Sequence, residues 1–167
     1  MNLMTSSVKN YMSADIEGVA VDPIVADFIV GAAEALSPAN SPDHSDIVEG
    51  QGSLFHPAYA GVTLCLLHGL QPDALVLRHD PTRRSLNGFP HMPVIPPGQA
   101  LAPYLVAAHL TNPKARFVGV SLNTSRLGEA DARVIMNNTA PSLGLPCVDP
   151  RRGVDRSSPG DIRCAIN

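Results

Sequence analysis

The sequence predicts an α/β fold, a parallel sheet of about four strands flanked by helices, and three observations predict it. Short apolar runs at 47–48, 74–77, 116–122 and 146–148 alternate with stretches of helical spacing. That is the order of strands joined by helical crossovers. The runs are nearly continuous in apolar residues, as strands buried on both faces are. Each run ends in polar residues: Glu49; Arg78, His79 and Asp80; Asn123 and Thr124; Asp149. Ligands bind at the carboxyl ends of the strands in an open α/β sheet. The four sets are therefore expected along one edge, with Ile47–Val48 in the central strand.

Length and composition leave few classes open. At 167 residues the chain is one domain by length and can bury a sizeable core. Hydrophobic residues make up 44% and charged residues 16%, which excludes a chain disordered by composition. No apolar run approaches a transmembrane helix in length. A net charge of −3 and a pI near 6.0 argue against a nucleic-acid-binding face. The first 18 residues carry acids and no apolar core, unlike a signal peptide. Cys65, Cys147 and Cys164 lie far apart with no CxxC, which fits reduced thiols in a cytoplasmic protein. Neither a nucleic-acid partner nor a membrane is expected.

Taken in order, residues 1–17 show no periodicity and read as a loosely ordered arm ahead of an α/β domain over 18–150. Asp22–Pro23 supplies an N-cap and a proline for the first helix. Ile24, Val25, Phe28, Ile29, Ala32 and Ala33 follow on one face, to about Leu36. After the strand at 47–48, His56–Pro57 opens a second helix over 58–68, which Gly69 closes as the C′ residue. Cys65, among leucines, belongs to its core face. His68 and His109 fall near helix ends and read as C-terminal caps. Residues 81–98, with prolines at 81, 90, 93, 96 and 97, read as a long loop, the kind that serves as a lid. A third helix spans 99–110 and a last one 129–136. Residues 151–167 lack periodicity and read as a flexible tail.

The stretch DIVEGQGSLFHP, 46–57, holds the densest set of functional candidates. Glu49 is either a catalytic or metal-side carboxylate at a strand end, or a solvated turn residue. Gly50 and Gly52 let backbone N–H groups approach an anion, and either role calls on their backbone freedom. Ser53 is a donor to phosphate or carboxylate, or a helix cap. His56 is an acid–base or substrate-binding candidate. Arg78, His79 and Asp80 either form an ion pair that shapes the following loop or, with Arg83, clamp a substrate carboxylate. A guanidinium meets a carboxylate through two parallel hydrogen bonds. Asn123 is a candidate for contact with a nucleotide or coenzyme base.

Strand–VEGxG followed by strand–LN–T resembles the second half of a P-loop NTPase of the dethiobiotin-synthetase kind. More specifically, IVEGQGSLFHPAYAGVTLCLLHG, QPDALVLRHDPTR, LTNPKARFVGVSLNTS and LGLPCVDP resemble a prokaryotic family catalogued as a domain of unknown function, DUF1611. Members of that family are assigned as D-glutamate N-acetyltransferases. The resemblance, over roughly 18–150, implies a C-terminal half of such an enzyme, acting on a small acidic amino acid. It implies acetyl-CoA or ATP with Mg2+ as cofactor and Glu49 beside the metal. It also implies cofactor contacts from Gly50, Gln51, Gly52, Ser53, Asn123 and Thr124. The family carries a glycine-rich segment where this chain has TSSVKNYMSADIEG, 5–18, with no glycine before Gly18. A phosphate cradle needs those glycines, so weak or absent ATP affinity is expected. A half without its partner half would expose apolar surface, which implies a homo-oligomer. A non-catalytic binding or oligomerisation module is the alternative function, and an ATP-dependent P-loop enzyme domain is a further one.

Overall fold

The computed structural model describes residues 2–5, 24–39, 41, 44–50 and 52–152, the first four by backbone alone. The Asp22–Pro23 helix start, the glycine-poor segment from residue 6 on, Gln51 and the tail beyond Arg152 lie outside the described residues. The chain is α/β, with parallel strands flanked by helices. It divides into two compact units, Met1–Pro72 with Ala107–Pro113, and Asp73–Val106 with Lys114–Asn167.

In the first unit, β1 (Asn2–Thr5) runs parallel to β2 (Asp46–Glu49), with Leu3 opposite Ile47 and Thr5 opposite Glu49. The expected arm therefore begins with a strand. Four residues are too few to show a period, and pairing makes them one. Burial alternates along β2, and Ile47 is 43% exposed. Ile47–Val48 is thus not the central, doubly buried strand, and among the described residues its partner is β1 alone. Asp46 anchors the start of β2: its carboxylate accepts from Ser37 Oγ at 2.7 Å and pairs with His44 Nε2 at 2.9 Å. The Ser37 hydrogen bond, with help from His44 and against the effect of burial, holds the Asp46 carboxyl below its usual pKa.

Helix α1 (Ala26–Ala35) starts after Val25, later than the proline signal suggests. Ile29, Ala33 and Leu36 are buried, and Ile24, Val62, Cys65 and Leu70 pack on the Ile29–Leu36 cluster. Val25 and Phe28, expected on that face, are exposed. Helix α2 (Ala60–Leu70) also starts late, because His56 O first accepts from the amides of Tyr59 and Ala60. Gly69 is not the C′ residue: the helix runs on to Leu70, and Gln71 takes the left-handed position at φ 48°. Gly69 is needed inside the helix, where a Cβ would strike the Val30 carbonyl and lie 2.7 Å from Ala33 Cβ. His68 donates from Nε2 to the Ala107 carbonyl at 3.1 Å, so it caps a different helix from its own.

The second unit opens with β3 (Ala74–His79). Residues 81–98 are not a structureless lid. They contain a hairpin, β4 (Ser85–Leu86) and β5 (Phe89–Pro93), closed by Asn87–Gly88 with Gly88 at φ 79°. A positive φ at the second turn position suits glycine. Pro90 and Pro93 are tolerated because a two-stranded ribbon leaves outward N–H positions unpaired. Next come α3 (Pro97–Ala108), whose last two residues group with the first unit, β6 (Arg116–Leu122), α4 (Glu129–Leu143) and β7 (Cys147–Val148). Helix α4 runs seven residues beyond the expected Met136, to a left-handed Gly144 at φ 64°. The sheet order is β3-β6-β7, all parallel. β6 lies in the middle, and Val118, Val120 and Leu122 are buried. Its apolar run is the one that matches burial on both faces. No helix among the described residues is long and apolar enough to cross a membrane.

Candidate functional site

At the end of β2, Glu49 is exposed and the chain turns sharply. Gly52 sits at φ 48°, and a Cβ on it would come within 2.6 Å of Tyr59 Cβ, so geometry requires this glycine. Gly50 has neither a positive φ nor a neighbour within 4 Å, so the geometric need expected of it is absent. Ser53 Oγ accepts from the Phe55 amide at 3.1 Å, a local turn. His56 is 5% exposed and packs against Tyr59, with ring centroids 4.7 Å apart and the planes tilted by 38°. Its Nδ1 accepts from the Ala58 amide at 3.2 Å, an arrangement that organises the approach to α2. Among the described residues no group of three or more His, Cys, Asp or Glu could hold a metal ion.

In the second unit, the carboxyl ends of β3, β6 and β7 come together as the parallel order dictates. The Asn123 amide donates to the His79 carbonyl at 2.9 Å. Thr124 is fully buried and Asp149 is 2% exposed. Asp149 Oδ2 accepts from the Thr124 amide at 3.0 Å and from Thr124 Oγ1. Its Oδ1 accepts from the Arg151 amide at 2.9 Å. Burial opposes ionisation, but these hydrogen bonds and the nearby Arg152 charge hold the Asp149 carboxyl below its usual pKa. Burial, reinforced by Asp149, pushes the Cys147 thiol up to about 11, so it is protonated and unreactive at neutral pH. Arg151 and Arg152, expected at the head of a flexible tail, are part of this folded edge.

At the last residue of β3, burial depresses the His79 pKa against the pull of Asp80, which leaves the ring neutral at pH 7. Asp80 Oδ1 accepts from the Thr82 amide at 2.9 Å and from its hydroxyl at 2.6 Å. Against partial burial, those bonds and the charges of Arg126 and Arg83 hold the Asp80 carboxyl low. The hairpin, Arg83 and Arg126 border a depression of about 340 Å³ that is largely open to solvent, lined by Arg83, Ser85–Gly88, Pro90 and Arg126. Of the four residues expected to bind substrate, Arg83 lines it, while Arg78, His79 and Asp80 do not. Arg126 escaped the sequence reading, because a lone arginine in a loop has no periodicity to mark it. The Glu49 segment belongs to the first unit and the other three polar sets to the second.

Parallel strands with polar residues at their carboxyl ends place this chain among the open α/β domains, a class in which ligands bind at that edge. Residues 10–157 match the family model described as a domain of unknown function (DUF1611_C) P-loop domain. The chain belongs to the DUF1611 family. It is 49% identical over 139 residues to a D-glutamate N-acetyltransferase from a Pseudoalteromonas species, across 83% of this chain and 42% of that protein. It is 45% identical over 136 residues to a protein of the same name from Tritonibacter scottomollicae, across 81% of this chain and 41% of that one. The crystal structure of a DUF1611 family protein from Anabaena variabilis aligns with a TM-score of 0.83 at 29% identity, covering 99% of this chain and 48% of that one. The chain thus spans less than half the length of the curated relatives it matches. The family match reaches beyond the expected stretch of 18–150 at both ends.

Proposed function

We propose that this chain is the domain of an N-acetyltransferase that holds a small acidic amino acid by its carboxylate. The observation that carries the reading is the pair Arg83 and Arg126 in the lining of one cavity, with the Asp80 carboxylate that both arginines influence standing outside that lining. Two guanidinium groups in a concave site favour a carboxylate through charge-assisted hydrogen bonds. The cavity volume lies at the lower end of the range for small-molecule sites. The names of the two relatives supply the substrate class, D-glutamate, and the reaction. In that reaction the substrate amine attacks the acetyl carbonyl of acetyl-CoA, the C–N bond forms and the C–S bond breaks. The amine gives up a proton and the departing thiolate takes one up. On the resemblance alone, Glu49 is the proposed carboxylate of the transfer step.

Calorimetric titration of D-glutamate into the wild-type chain, Arg83→Ala and Arg126→Ala tests the reading. Each substitution is expected to weaken binding about ten- to a hundredfold, the scale of a hydrogen bond to a charged group. Wild-type affinity in both variants would overturn it. Magnesium-ATP binding that the same substitutions abolish would move the cavity to the nucleotide alternative.

A further inference from the structure

The turn that carries Arg126, between β6 and α4, is held at both ends by one side chain from outside it. Arg152 Nε donates to Thr124 Oγ1 at 2.7 Å, and its Nη2 donates to the Thr124 carbonyl at 3.0 Å and the Leu127 carbonyl at 2.6 Å. Nη1 lies 3.9 Å from Glu129 Oε2. Thr124 also bonds the buried Asp149 carboxylate, and the Leu127 amide donates to the Thr124 carbonyl at 2.9 Å. Arg126 is the cavity-lining residue inside this loop, with bound positions at 124 and 127 on either side. Arg152 itself does not line the cavity.

We infer that Arg152, seated on Thr124 and Asp149, is a positioning residue that sets Arg126 for anion binding in the cavity. The physical argument is entropic. A loop arginine free to wander must be ordered when a ligand binds, and immobilising such a side chain and its backbone costs affinity. A turn fixed beforehand avoids that cost. The planar fork of arginine suits the task, because one guanidinium reaches a hydroxyl and two carbonyls in fixed directions, which an ammonium does not reproduce. The inference rests on the proposed carboxylate site.

The test is a double-mutant cycle on D-glutamate affinity with the wild-type chain, Arg126→Ala, Arg152→Ala, the double variant and Arg152→Lys. Arg152→Ala is expected to weaken binding by about tenfold, a coupling within the range for residues in one network. It should have little further effect once Arg126 is alanine. Arg152→Lys keeps the charge and should behave like Arg152→Ala. Melting temperatures report any fold-wide loss. Amide exchange at Leu127 gives a second reading without ligand, and it should quicken in both Arg152 variants. If Arg126→Ala binds D-glutamate as tightly as wild type, the carboxylate site falls and this inference with it. If Arg126→Ala is weakened but Arg152→Ala binds normally, loses the same factor in both backgrounds or is rescued by lysine, the positioning role alone is overturned. Unchanged Leu127 exchange would also overturn it.

Discussion

At neutral pH Asp149 holds Thr124 and the Arg151 amide as a carboxylate, and its folded pKa lies below the ordinary 3.8. A depressed carboxylate pKa contributes stability that is present above the unfolded value and lost as pH falls through the folded one. The Asp149→Asn variant should therefore be less stable than wild type at pH 7 by about 1–3 kcal/mol, the cost of disturbing a buried hydrogen-bonded group. The gap should begin to narrow below pH 3.8 and close as pH falls through the lower folded value, and urea midpoints at pH 7, 5, 3 and 2 would show it. A gap independent of pH would mean that the carboxylate charge is not what stabilises the sheet edge. Glu49 is exposed and tests the opposite case. In this chain fused to the remaining length of a relative, Glu49→Gln is expected to cut acetyl transfer to D-glutamate about a hundredfold, the scale of one lost acid–base or electrostatic group. The melting temperature should barely move. Full turnover in the Gln variant would make Glu49 a solvated turn residue.

Among the elements, α1 and α2 meet at Gly69, and the sequence reading mistook its role. Helix propensity alone makes Gly69→Ala stabilising by about 0.8–1 kcal/mol. The packing says otherwise, because a methyl group there meets the Val30 carbonyl and Ala33 Cβ. Overpacking costs about 1–3 kcal/mol, so the variant should be destabilised overall, as a denaturant midpoint would report. A stabilised variant would show that the two helices separate at little cost. The hairpin at 85–93 was legible in principle, since Asn-Gly between short strands is a strong turn signal. Five prolines between 81 and 97 obscured it. The run RFVGVSL was read correctly, because burial on both faces leaves few polar residues to interrupt it.

For the molecule as a whole, the proposed self-association would act through exposed apolar residues at the start of the first helix. Val25, the N-cap of α1, and Phe28 in its first turn are 67% and 69% exposed. Light scattering is expected to show a dimer or larger species that Phe28→Glu returns to a monomer. A wild-type chain that stays monomeric at high concentration would leave that apolar face without the proposed role. The exposure of Phe28 was invisible in its helical spacing, which matches that of the buried Ile29 and Ala33. Periodicity fixes which residues share a stripe, but not where another element stops covering it.

By itself the sequence determined the kinds of element and much of their order, since hydrophobic period, proline and glycine act within a few residues of where they stand. It also set the α/β class and the polar strand ends. Tertiary structure alone decided which strands are neighbours, that β6 rather than Ile47–Val48 lies between two others, and that Arg152 reaches Thr124 from 28 positions away. It alone brought Arg83 and Arg126 to one cavity. Contacts of that kind follow from how crossovers fold the strand ends onto each other, and an exposed loop arginine carries no local pattern that records where its partner is.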